Sequence, residues 1–185
     1  YVVQLIVNDG ALDSAPDTVV VSTVNSAPVA NAGPDQTVFV GNLVVLNGGG
    51  SSDVDGDALT FAWAIIARPA TSAATLSDPA AMSPTFTVDA PGTYVVQLIV
   101  NDGLLDSAPD TVTISTLNSR PVANAGADQT VVSGDTVNLD GTGSSDADFD
   151  VLTYQWAIVA RPAGSTAALS DPTAAQPSFV ADRGG

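Results

Sequence analysis

Apolar and polar positions alternate along short stretches of the chain. In LTFAWAI, Leu59, Phe61, Trp63 and Ile65 fall on one face, and Thr60, Ala62 and Ala64 on the other. In TYVVQLIVN, Tyr94, Val96, Leu98 and Val100 share a face. Val44 and Leu46 do so in LVVLN, and Val112 and Ile114 in DTVTIS. A period of two is that of a half-buried β-strand, whose side chains point alternately to opposite faces. Between these stretches lie GGGSSDVDGD, ARPATSA, SDPAAMSP, DAPG and NDGLLDSAP, which have turn and loop compositions. No amphipathic helical stretch of useful length occurs. The pattern predicts an all-β chain with helix confined to short turns.

The pattern also repeats. YVVQLIVNDG begins at Tyr1 and again at Tyr94, PVANAG at Pro28 and Pro121, and Trp63 returns as Trp156, each pair 93 positions apart. That period is too long for a solenoid unit and suits a whole small β domain. In the second copy Leu152, Tyr154, Trp156 and Ile158 keep the apolar face, while Gln155 replaces Ala62 on the other. The phase predicts three segments: 1–25, the last two strands of one repeat; 26–118, a complete repeat; and 119–185, a repeat lacking its last two strands. About seven short strands in one period suit an Ig-like sandwich. Trp63 is then expected in the core on a central strand. Tyr94, just after Pro91-Gly92, is expected to form a tyrosine corner.

Composition narrows the chemistry. The 185 residues carry 20 acids, all Asp, and four bases, all Arg (Arg68, Arg120, Arg161, Arg183), for a net charge of -16. Cys and His are absent. There is thus no disulfide, no thiolate nucleophile, no Cys-ligated zinc and no imidazole base. Four scattered Arg make a poor nucleic-acid surface, and the acidity repels anionic lipid. With 45% hydrophobic residues the chain can still build a core. Its most apolar stretch, YVVQLIV, is too short to span a bilayer as a helix.

PVANAGPDQTV, GSSDVDGDALTFAW and PTFTVDAPGTYVVQLIVNDG together resemble the polycystic-kidney-disease (PKD) type Ig-like repeat. Many such repeats follow the Trp with a Gly-Asp-Gly turn; here WAIIARPATSAATLSDP follows instead. The resemblance implies a non-enzymatic spacer, stalk or adhesion module of tandem repeats, as in bacterial and archaeal surface proteins and secreted hydrolases. Some members of the family bind calcium.

Asp53, Asp55 and Asp57 alternate in SSDVDGDA, as do Asp146, Asp148 and Asp150 in SSDADFDV. The spacing opens like an EF-hand loop, but Ala58 stands where Gly is needed and Ala64 where Glu is needed, so an EF-hand is rejected. In a sandwich this loop shares an end with the loop holding Asn101, Asp102 and Asp106, and with the entering linker Asn25-Ser26. Two carboxylates about 5 Å apart repel by roughly 3 kcal/mol at an effective dielectric near 20. A hard cation relieves that repulsion, and Ca²⁺ accepts 6–8 oxygens in irregular geometry. The expected metal ligands are Asn25, Ser26, Asp53, Asp55 and Asp102, with Asp57 and Asp106 as further candidates. The alternative is that these Asp residues only form turns and keep the surface soluble. Asp35 and Asp78 are expected to be turn residues. Loop-tip acids on a small sandwich offer no cleft for a carboxylate-pair enzyme, and no enzymatic activity is expected.

The expected function is structural: an extracellular fibre, stalk or surface filament of head-to-tail domains, with calcium at the junctions. The rival is an adhesion or polysaccharide-binding accessory module. Sugar-binding modules usually expose aromatics in a row; here aromatics are 5% and mostly inward. Expected partners are neighbouring copies, with a lateral contact through Phe39 and Val45. In the head-to-tail geometry residues 1–25 enter the sandwich of the next body, either as one stretch of a long covalent polymer or by strand exchange between subunits. Asp9 then stands in for Asp102, completing a site with Asn118, Ser119, Asp146 and Asp148.

Overall fold

A computed structural model describes residues 1–184. Among them there is no helix, only β-strands and turns. The chain opens with β1 (Val2–Leu5) and β2 (Asp17–Val20), paired as an antiparallel hairpin. β3 (Gln36–Phe39), β4 (Leu43–Val45), β5 (Thr60–Ala67), β6 (Thr85–Thr87), β7 (Thr93–Asn101) and β8 (Asp110–Leu117) follow. They form a four-stranded sheet in the order β3-β8-β7-β5, and a two-stranded sheet, β4-β6. β3 runs parallel to β8; the other pairs are antiparallel. The remaining strands are β9 (Thr136–Asn138) and β10 (Ser178–Val180), also antiparallel.

The alternation in the sequence sets the core. Tyr94, Val96, Leu98 and Val100 of β7, with Val112 and Ile114 of β8, are wholly buried. They meet Trp63 from β5, Val44 and Leu46 from around β4, and Phe86 and Val88 from around β6. Burying each large apolar side chain is worth about 1.5–3 kcal/mol, so the two sheets are held chiefly by this layer. β5 carries a bulge between Ile65 and Ala67. Trp63 is buried in the core and its Nε1–H donates to Ala81 O at 3.1 Å, which satisfies its one polar side-chain atom. Its ring leaves no room opposite: a Cβ on Gly48 would come within 3.2 Å of Trp63 Cζ2 and 2.9 Å of Phe61 Cδ1. Tyr94 makes the expected corner. Its hydroxyl accepts from Ala90 N–H at 3.0 Å and lies 2.9 Å from Ala90 O and 3.0 Å from Asp89 Oδ1.

Two details differ from the sequence reading. Residues 26–118 hold six ladder strands rather than about seven; further pairing is limited to the isolated bridges Val29↔Ser52 and Asn101↔Asp106. The short β3 also joins β8 in parallel, a pairing that alternation cannot announce. Residues 119–184 repeat only part of the architecture. β9-β10 matches β4-β6, Val122↔Ser145 matches Val29↔Ser52, and Trp156 Nε1 donates to Ala174 O at 3.0 Å. Residues 153–160, which match β5, form no ladder, because no counterpart of β7 occurs within residues 102–184 to pair with them.

Candidate functional site

The acid-rich loops converge on the linker that enters each body. The backbone N–H of Ser26 donates to Asp55 Oδ2 at 2.7 Å, and Asn25 Nδ2–H donates to Asp102 Oδ2 at 2.8 Å. The loop after β4 is built on Asp53, whose Oδ1 accepts from the N–H of Asp55 at 2.8 Å and of Asp57 at 3.3 Å. This is the work expected of Asp in tight loops, where its short side chain reaches nearby backbone donors. Gly56 supplies the positive φ of 83° that the turn needs. The loop after β7 is built likewise. Asp102 Oδ1 accepts from Leu104 and Leu105 N–H, both at 2.7 Å, and Asn101 Nδ2–H donates to Asp106 Oδ1 at 2.7 Å.

The junction recurs one period on. Ser119 N–H donates to Asp148 Oδ2, and Asp146 Oδ1 accepts from the N–H of Asp148 at 2.8 Å and of Asp150 at 3.4 Å. Phe149 stands where Gly56 stood, still at a positive φ of 63°. β8 ends at Leu117, so Asn118 alone separates the first body's last strand from the anchored Ser119. Asp9, expected at this second junction, lies in the exposed turn of the β1-β2 hairpin. There its Oδ1 accepts from Ala11 and Leu12 N–H, both at 2.9 Å.

Electrostatics follow these contacts. The Leu105 N–H, then the Asn25 amide and the Leu104 N–H, hold the Asp102 carboxyl below its ordinary value. The Leu12 and Ala11 N–H groups lower Asp9 in the same way. The sequence reading gathered Asn25, Ser26, Asp53, Asp55 and Asp102, and the hydrogen bonds place these residues around one junction. They do not form a carboxylate cage: among the described residues no group of three or more acids is close enough to hold a metal. Asp53, Asp55, Asp102, Asp106, Asp146 and Asp148 each turn at least one carboxylate oxygen to an N–H donor. Among the described residues, Asp53 Oδ2 and Asp148 Oδ1 are the side-chain polar atoms buried without a partner, and Asp148 itself is 94% buried. The acids present at each junction therefore do not make a chelating shell for a cation.

Some supporting acids escaped the sequence reading. Asp89 accepts from the Ser72 hydroxyl and, at 2.7 Å, from Ala73 N–H, which together with Tyr94 hold its pKa low. Asp182 does the same with Ser165 and Thr166, and the shared 93-residue offset of both pairs was the available signal. Asp110 Oδ2 accepts from Ala32 N–H at 2.7 Å, fastening the first loop to β8. Asp78 is the expected turn residue, accepting from Ala80 N–H at 2.9 Å. Asp35 is not: it reaches across to accept from Thr113 N–H at 2.8 Å, fixing the β3-β8 register. Phe39 and Val45 are about half exposed, at 46% and 54%. A groove of about 270 Å³ lies on residues 119–184, lined by Ala125, Gly141, Tyr154 and Trp156 among others, with no carboxylate or guanidinium in its lining.

Comparison with known proteins agrees with this architecture. The family profile described as K319L-like, PKD domain matches residues 32–116, and a second, described as PKD domain, matches residues 118–158. The dyslexia-associated protein KIAA0319 homolog of Mus musculus is 34% identical over 84% of this chain, and the dyslexia-associated protein KIAA0319 of Homo sapiens is 32% identical over 84%. The chain spans 15% of the length of these curated relatives. The solution structure of the PKD domain from KIAA 1837 protein aligns with 54% of this chain and 96% of its own, at 25% identity and a TM-score of 0.42. With its buried Trp, its tyrosine corner and both profile matches, this chain belongs to the PKD-domain family of Ig-like β-sandwiches.

Proposed function

We propose that this chain is a non-enzymatic spacer of an extracellular or cell-surface protein, in which consecutive PKD-type repeats are held at a fixed angle. The observation that carries this reading is the anchored linker. Asn25 and Ser26 are tied to Asp102 and Asp55, and one free residue, Asn118, separates β8 from the anchored Ser119. A link this short and hydrogen-bonded has few torsions left to vary, unlike a Gly/Ser linker. The chain's acidity adds to this, since like charges on successive domains repel and favour an extended arrangement. The adhesion reading receives less support, because the large aromatics Trp63, Phe86 and Tyr94 are inside the core. An array of surface polysaccharides tests it: the spacer reading expects no binding, and saturable binding to one glycan class overturns it.

A second reading adds calcium, and the buried unpaired oxygens of Asp53 and Asp148 are what support it. Isothermal titration with Ca²⁺ and the melting temperature with and without chelator separate the two. A metal-free junction predicts no change with chelator. A rise in stability following RT ln(1 + [L]/Kd) at millimolar Ca²⁺ establishes the calcium reading instead.

A further inference from the structure

One broad face of the complete repeat is free of charge, although the chain carries a net -16. It is the outer side of the four-stranded sheet β3-β8-β7-β5, which lies wholly within residues 26–118. Trp63 of β5, Val96 and Leu98 of β7, and Val112 and Ile114 of β8 are buried, so the residues between them point outward. None of those outward positions holds an acid or a base. Asp110, the one charged residue on the four strands, has the inward parity of Val112 and accepts from Ala32 N–H. β5 is the outermost strand. Its outward side offers Thr60, Ala62 and Ala64, with no Lys or Pro of the kind that guards a sheet against a neighbour. Apolar side chains add to the face: Ile66 is 52% exposed, Phe39 46% and its register partner Leu117 44%. We infer that this face binds the same face of a second copy of the chain, with the two β5 strands antiparallel.

Charge selects the occupant. β5 runs from the loop of Asp53, Asp55 and Asp57, which precedes its first residue, to Arg68, which follows its last. Arg68 is exposed, and its Nη1 donates to Ala74 O, which holds the guanidinium beside the end of the strand. Two copies facing each other about a two-fold axis that crosses the strands bring each Arg68 to the other's acid loop, so each copy supplies both signs. A parallel arrangement puts the two acid-rich ends together, which the net charge of -16 on each chain disfavours. Size agrees with a second copy. The nine-residue β7 is about 30 Å long and the four strands stand about 4.8 Å apart, so the face measures about 500 Å². Two copies then bury about 1,000 Å² between them, the lower bound for a specific contact, so the pair is weak and forms at high local concentration. The outer side of β4-β6 is also without charge, but its two strands of three residues make it too small. Phe39 therefore belongs to the contact, and Val45, on that other sheet, does not. The contact lies on the side of the repeat and is independent of the spacer reading, which concerns its linkers.

The test is sedimentation velocity of the 185-residue chain over rising concentration, beside Ala64→Asp and Val45→Asp. Both residues are exposed, so the substitutions leave the core intact, which unchanged melting transitions of the dilute proteins verify. The expected result is a concentration-dependent dimer for the parent chain and no change for V45D. For A64D the dissociation constant should rise at least about tenfold, because two like charges meet at the centre of the contact. Orientation is read separately with Ala64→Cys. The chain has no Cys, so a disulfide in this variant joins two chains. Ala64 is at the middle of β5, close to the two-fold axis, so A64C should oxidise to a covalent dimer while Thr87→Cys, on the other sheet, stays monomeric. A parent chain that stays monomeric overturns the inference and leaves the face to another partner. So does association that survives A64D or that V45D abolishes. An A64C chain that cross-links no faster than T87C overturns the antiparallel pairing.

Discussion

Asp and Gly carry the loops, and Phe149 shows what happens when one of them is replaced. Gly56 and Phe149 occupy equivalent turn positions, both with positive φ. A residue with a Cβ in that region costs roughly 1–2 kcal/mol. Gly56→Ala should therefore destabilise the complete repeat by about 1 kcal/mol in urea unfolding, although nothing lies within 4 Å of the added Cβ. The Asp residues predict a pH dependence. Asp102 and Asp89 have depressed pKa values in the folded chain, because N–H and O–H donors stabilise their ionised forms. Their contribution is complete above the unfolded value near 3.9 and is lost as pH falls through the lower folded value. The melting temperature should fall on acidification below about pH 4, partly offset by relief of the repulsion from the net charge of -16. Asp89→Asn should fall less steeply over the same range, and an identical slope would show that Asp89 contributes nothing.

Strands were legible in the sequence where one face is buried, because burial imposes the period of two. β7 is the clearest case: its alternating residues are the centre of the core, and Leu98→Ala should cost about 2–5 kcal/mol in equilibrium unfolding. β3 was harder to see. It is four residues long, only half-buried, and defined by parallel pairing to β8 and by the Asp35 contact to Thr113. The meeting of the two loops with the linker was legible, since loops at one end of a sandwich must meet, whereas Asp9, expected at the second junction, caps its own hairpin turn. The chemistry of that meeting was not legible, because the spacing of Asp53, Asp55 and Asp57 serves backbone capping as well as metal binding. The same limit explains residues 153–160, which share β5's pattern yet form no ladder without a partner strand. Amide exchange should separate the two: β5 amides protected, and those of 153–160 exchanging fast.

At the scale of the whole molecule, the spacer proposal requires that the one-residue link between β8 and the anchored Ser119 does not act as a hinge. Asp148 takes the Ser119 N–H at the second junction, so Asp148→Ala should release the angle between successive bodies without unfolding the first. The absence of Cys makes this measurable, because introduced thiols are unique labelling sites. Thr87 and Val180 are exposed strand residues at equivalent positions in successive bodies. The most direct test is the spin–spin distance distribution between labels at Thr87→Cys and Val180→Cys, diluted with unlabelled chain so that only intramolecular pairs are read. A single narrow distribution in the presence of chelator, broadened by Asp148→Ala, is the predicted result. A broad distribution in the parent chain, or one that narrows only when calcium is added, would contradict a junction held by its own hydrogen bonds.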